Sequence, residues 1–214
     1  MKVKTRFEQI MARIPLISNR TKLIISSLLL AFAFIESYIR QNSIDSTICF
    51  LAMLFSFGGD IALNSMPLKN RPSSFLYAGA GLFMFAHLAY ASAYFTLIQN
   101  SEKAFFNLGA ILACIFMLTL FTVSVICTSR ANTSPSSTTL LIFSIYTLVI
   151  GINFVTICSY SFSFVSASFI GALSFLISDF IIGVETVFKI KNDILRKLVW
   201  IFYPIGQILI IACR

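Results

Sequence analysis

Residues 46–66 read STICFLAMLFSFGGDIALNSM. The run carries a single acidic or basic side chain, Asp60, which follows Gly58 and Gly59 and has no Lys, Arg or His within eight residues on either side. A stretch of about 20 mostly apolar residues is what an α-helix needs to cross the hydrocarbon of a bilayer. The run therefore predicts a membrane span, and it raises the question of why such a span holds an aspartate.

Working outward, six further runs have the same character: 22–39, 74–98, 105–127, 138–158, 163–183 and 197–213. The whole chain of 214 residues is 58% hydrophobic and 11% charged, against about 25% charged in an average soluble domain. Its mean hydropathy is +0.91. These runs are too many and too long to fill the core of one water-soluble globule. The expected fold is all-α, a polytopic bundle of about seven transmembrane helices. Short connections predict antiparallel neighbours in one domain, residues 22–214, after a basic N-terminal tail, residues 1–21. Phe7, Ile10, Met11 and Ile14 could give that tail a short interfacial helix. The polar stretch TSRANTSPSSTT (128–139) has loop character, and no signal peptide is evident.

The net charge of +8 is distributed as a topology signal, and no nucleic-acid partner is expected. Six of the sixteen basic residues fall in the first 22 positions. With the N-terminus inside, 13 Lys and Arg lie on the inner side and only Arg40, Lys103 and Arg214 on the outer. That asymmetry predicts a cytoplasmic N-terminus. The five cysteines (49, 114, 127, 158 and 213) form no CxxC or Cys/His cluster and read as small buried apolar residues. Neither a metal nor another cofactor is expected.

Ionisable groups inside a bilayer are costly and usually face the bundle interior. Asp60 and Asp179 are the two clear cases. Helical rise over the six residues from Asp60 to the end of its run places it roughly 9 Å below the inner boundary. Asp179, four residues from the end of its own run, falls in the same leaflet at similar depth. Glu36 lies near the outer boundary. His87, the sole histidine, shares a helix face with Met84, Ala91 and Tyr94, and Gly79 and Gly81 would admit a neighbouring helix there. By the same count His87 lies about 20 Å from the inner boundary. Tyr203 and Gln207 share one face of the last helix, with Pro204 between them. Each of these residues also has a structural reading, as a hydrogen-bonded contact between helices.

Four motifs in order then resemble the lysoplasmalogenase family of polytopic membrane proteins, the bacterial YhhN type and its animal relatives. They are Gly59–Asp60, Ala86–His87 with Tyr90, Gly171–Ala172 with Phe175 and Ser178–Asp179, and Tyr203 with Gly206–Gln207. TKLI (21–24) resembles the family's TKP helix start without the proline, and IYTLVIGIN (145–153) resembles its sixth helix, with Asn153 in place of methionine. Relatives commonly have eight helices, one more than this chain. The resemblance implies hydrolysis of the vinyl ether of lysoplasmalogens to a fatty aldehyde and glycerophosphoethanolamine or glycerophosphocholine. The partner is then a lysophospholipid within the bilayer, and the location an internal membrane such as the endoplasmic reticulum if the source is eukaryotic.

That chemistry suits two carboxyls. Cleaving a vinyl ether begins with a proton delivered to the carbon beta to oxygen, which forms an oxocarbenium ion that water then captures. Glycosidases meet a related cation with two carboxyls in different environments. A carboxyl in an apolar site, with a second carboxylate nearby, resists ionisation. One of Asp60 and Asp179 is thus expected to be the general acid and the other to steady the cation and guide water; the sequence leaves open which is which. Tyr203 and Gln207 are candidates for positioning water or the ether oxygen, with Tyr90 and Ser178 beside them in the motifs. His87 is a candidate to orient a carboxylate or meet the headgroup, and Lys69, Arg71 and the basic segment Lys189–Lys197 to flank the entrance and hold the headgroup phosphate. The alternative is a small proton- or cation-coupled carrier or channel using the same aspartates, weakened by the lack of an inverted repeat. A third reading is a lipid-binding or structural membrane protein without activity.

Overall fold

The computed structural model describes residues 15–64, 73–101, 103–130, 136–161, 166–188, 190 and 192–214. The proposed N-terminal interfacial helix, Lys69, Arg71, Lys189 and Lys191 lie outside the described residues. Seven α-helices organise the rest: α1 (Asn19–Ile39), α2 (Ile44–Asn64), α3 (Ser73–Asn100), α4 (Leu108–Arg130), α5 (Ser137–Ser161), α6 (Ala167–Val187) and α7 (Asp193–Ala212). Each is long and apolar enough to cross a membrane. The protein is an all-α polytopic bundle, as the seven apolar runs predict.

Polar residues at the run boundaries start the helices. Ser18 accepts from the Thr21 N–H, Asn107 from Ala110, Ser136 from Thr139, Ser166 from Phe169 and Asn192 from Ile194. Each satisfies an amide that the first helical turn leaves unpaired. Gln41 and Asn42 turn the chain between α1 and α2 with φ of 55° and 53°. Asn42 donates its N–H back to the Ser37 carbonyl at 2.9 Å, closing the end of α1.

Helix contacts run in the order α1–α2–α3–α5–α6–α7 and back to α1, which closes a ring of six. The α4 helix packs on α5 and is the least buried of the seven, so it lies outside the ring. Close approach within the ring depends on glycine. A Cβ on Gly206 would stand 2.8 Å from the Phe175 backbone nitrogen, and one on Gly171 would stand 2.8 Å from Leu209 Cβ. This brings α6 and α7 nearly into backbone contact. Gly79 meets Leu63 in the same way, whereas Gly81 has open space around it, so only one of the two glycines expected beside His87 serves a close approach. Cys49 and Cys158 are buried, but Cys114, Cys127 and Cys213 are exposed on the outside of the bundle, contrary to the expectation for all five.

One end of the bundle is closed by charge pairs. Arg40 bonds Glu36 at 3.2 Å and donates to the Ala212 carbonyl at 2.8 Å, while Arg214 pairs with Asp45 at 3.3 Å. Glu36 is therefore engaged with Arg40. The opposite end, where α1 begins and α2 ends, holds a cavity.

Candidate active site

That cavity, of about 620 Å³, reaches inward from the starts of α1 and α7 and the ends of α2 and α6. Asp60 and Asp179 both line it, together with Tyr203 and Phe83. Helical periodicity explains how they arrive there. Cys49, Met53, Ser56 and Asp60 form the buried stripe of α2, and Val199, Tyr203, Gly206 and Ile210 that of α7.

The two carboxyls differ in depth more than the apolar runs suggest. The α2 helix stops at Asn64 and α6 continues to Val187. Asp60 is then about 6 Å and Asp179 about 12 Å from its helix end, taking 1.5 Å per residue. Asp179 meets His87 at 2.7 Å although His87 is about 21 Å along α3 from Ser73, so the start of α3 and the end of α6 are not level. The helix ends four residues later than the apolar run because polar side chains such as Glu185 and Thr186 end the run before the helix ends.

Each carboxyl has its own partners. Ser26 Oγ and Tyr203 OH both donate to Asp60 Oδ2, at 2.5 and 2.8 Å. Asp179 Oδ2 lies against His87 Nε2, and His87 Nδ1 faces Asn153 Nδ2 at 3.0 Å. An amide N–H donated to Nδ1 leaves the imidazole hydrogen on Nε2, where it is donated to Asp179. Both aspartates, His87 and Asn153 are buried. Phe175 lies between the networks, its ring 4.5 Å from that of His87 and 5.8 Å from that of Tyr203.

Gln207, Tyr90 and Ser178 sit elsewhere. Tyr90 donates to Gln207 Oε1, and Gln207 Nε2 donates to Ser56 Oγ at 3.1 Å. Gln207 and Tyr90 are fully buried and do not line the cavity. They form a separate contact of α2, α3 and α7, one turn from Asp60 and Tyr203, because i and i+4 on one face share a direction but not a depth. Ser178 donates to the Phe175 carbonyl of its own helix at 2.8 Å.

The cavity mouth carries both charge signs. Lys22 lines it with its Nζ 5.4 Å from the Trp200 ring centroid, inside α1 and not in a flanking tail. Arg196 lines it and is 3.7 Å from Glu185 and 3.6 Å from Asp193. Arg196 belongs to the basic segment expected to flank the entrance, whereas Ser26, Lys22 and Asn153 were not singled out as site residues from sequence. Asn153 had a visible signal, a carboxamide in an apolar run; a lone serine such as Ser26 has none.

Comparison with curated proteins and with solved structures gives no significant match. The family comparison does: over residues 19–213, nearly all of the described bundle including both aspartates, the chain matches the YhhN family and belongs to it, the family of lysoplasmalogenases and their relatives.

Proposed function

We propose that this protein hydrolyses the vinyl ether bond of lysoplasmalogens, with Asp60 as the acid and Asp179 as the carboxylate. The observation that carries the reading is that Asp60 and Asp179, from α2 and α6, line one cavity while holding different partners. Two neighbouring carboxyls do not ionise together economically. The one that accepts from an imidazole N–H takes the negative charge, and the other keeps the proton.

Ser26 and Tyr203 both bind Oδ2 of Asp60, so they fix the carboxyl plane and leave Oδ1 for the transferable proton. Asp60 gives that proton to the carbon beta to the ether oxygen, and the electron pair of the double bond forms the new C–H bond. The adjacent carbon becomes an oxocarbenium centre, which the Asp179 carboxylate stabilises. Water adds there and yields its proton to Asp179, with His87 holding the carboxylate in place. The hemiacetal then collapses: its hydroxyl proton returns to Asp60, Asp179 protonates the departing glycerol oxygen, and the fatty aldehyde and glycerophosphoethanolamine or glycerophosphocholine are released. Both carboxyls end as they began.

The mouth suits a zwitterionic head, with Lys22 and Arg196 toward phosphate and Glu185 toward an amine. The test is aldehyde release by the purified protein in detergent from a synthetic lysoplasmalogen. Release at a rate that scales with protein supports the reading. Proton or cation flux in liposomes without turnover would replace it with the carrier alternative.

A further inference from the structure

A second cavity, of about 640 Å³, lies outside the six-helix ring in the crease between α4, α5 and α6. We propose that it holds the single hydrocarbon chain of the lysolipid whose head occupies the first cavity. The proposal rests on the hydrolase reading for the bond that reacts, and on three observations for the chain.

First, Asp179 lines both cavities and is the one residue they share. The α6 helix is the wall between them. Ile182, Glu185 and Thr186 face the first cavity, while Phe180, Gly183 and Val187 face the second, as a 3.6-residue repeat requires. A molecule with its reacting bond at Asp179 thus has a different compartment on either side.

Second, the compartments differ in chemistry. The first carries Lys22, Glu185 and Arg196; among the described residues lining the second, the only ionisable group besides Asp179 is the Tyr146 phenol. Three of its four serine and threonine hydroxyls are turned back on their own helices: Ser124 donates to Leu120, Thr128 to Ser124 and Thr147 to Phe143, each at 2.8 Å. With those hydrogens used, Ser144 and Tyr146 are the other hydroxyl residues on walls that are otherwise mostly carbon. A polar solute finds little to bind there, whereas an alkyl chain replaces lipid contacts at no electrostatic cost.

Third, glycine leaves room where a chain would pass. A Cβ at Gly183 would have only ordinary contact with Phe143, at 3.6 Å, so the position tolerates a side chain that projects into the crease. Gly183 is four residues, about 6 Å, from Asp179 along α6. A zigzag chain with bonds of about 1.5 Å advances about 1.25 Å per bond, so it reaches Gly183 after about five carbons.

The test compares wild type, Gly183→Leu and Ser124→Leu on alkenyl lysolipids with six-carbon and sixteen-carbon chains. The ratio of kcat/KM for the long chain to that for the short chain is expected to fall at least about tenfold in both variants. An unchanged ratio in both overturns the proposal. A saturated ether lysolipid with a diazirine on its sixth carbon supplies a readout independent of catalysis. It is expected to label the α4, α5 and α6 walls, with competition by unlabelled lysolipid and none by diacyl phospholipid. Label outside these walls, or equal competition by diacyl lipid, overturns the proposal. Should wild type release no aldehyde, the hydrolase reading fails by itself, and the labelling alone decides the chain site.

Discussion

Replacing Asp60 by asparagine separates catalysis from folding. In the folded protein Ser26 and Tyr203 each donate to Oδ2. An asparagine amide oxygen in that place accepts both bonds, and its NH₂ group takes the position of the oxygen that carries the proton. Hydrogen bonds between membrane helices are worth about 0.6 kcal/mol on average and at most about 1.7. With both retained, Asp60→Asn should change stability by less than about 1 kcal/mol. The amide has no proton to give, so the rate should fall at least about 10²-fold, or about 2.7 kcal/mol of barrier. Tyr203→Phe makes a graded control, since it removes one donor and keeps the carboxyl; a loss of roughly 3- to 20-fold is expected, the equivalent of about 0.6 to 1.7 kcal/mol. Turnover is read as aldehyde formation, coupled to NADH oxidation by an alcohol dehydrogenase, beside thermal unfolding in the same detergent. Asp60→Asn protein that melts with wild type and retains more than a tenth of its rate would refute the assignment of the acid.

Asp179→Asn should also cost at least about 10²-fold in kcat, and Asn153→Leu a smaller loss, about 3- to 10-fold, because it leaves His87 Nδ1 without its donor; equal rates for Asn153→Leu and wild type would remove that residue from the site. Gly206→Ala drives a Cβ to 2.8 Å from the Phe175 backbone and should destabilise by about 1 to 3 kcal/mol, while Gly81→Ala, in open space, should leave the melting temperature unchanged. In sealed vesicles of known orientation, substrate supplied on the side of the α1 start should be cleaved at once, and substrate confined to the opposite leaflet only after flipping; the reverse order would contradict access through the charged mouth.

The number of spans, their approximate limits and the sequence of motifs were all present in the amino-acid order. They depend on local quantities: the length of an apolar run, a capping serine or asparagine before it, a lone carboxyl within it. Asp60 and Asp179 stood out for the same reason, since a charge in hydrocarbon is conspicuous against its own neighbours. Partnership was not legible, because it depends on which helices meet and at what height. Glu185 and Thr186 made α6 look as though it ended one turn before Val187, and with the start of α3 and the end of α6 at different levels a count along the sequence put His87 out of reach of Asp179. Tyr203 and Gln207 share a face of α7, yet one turn of rise sends Tyr203 to Asp60 and Gln207 to Tyr90 and Ser56. Ser26 carries no mark in its own run, and only the packing of α1 against α2 delivers its hydroxyl to Asp60. The division of α6 into a charged side and an apolar side around Asp179 likewise appears only when the ring closes on one side of α6 and α4 packs against α5 on the other. Apolar periodicity records that a face is covered; which neighbour covers it is decided by the close fit of glycines and rings from distant parts of the chain.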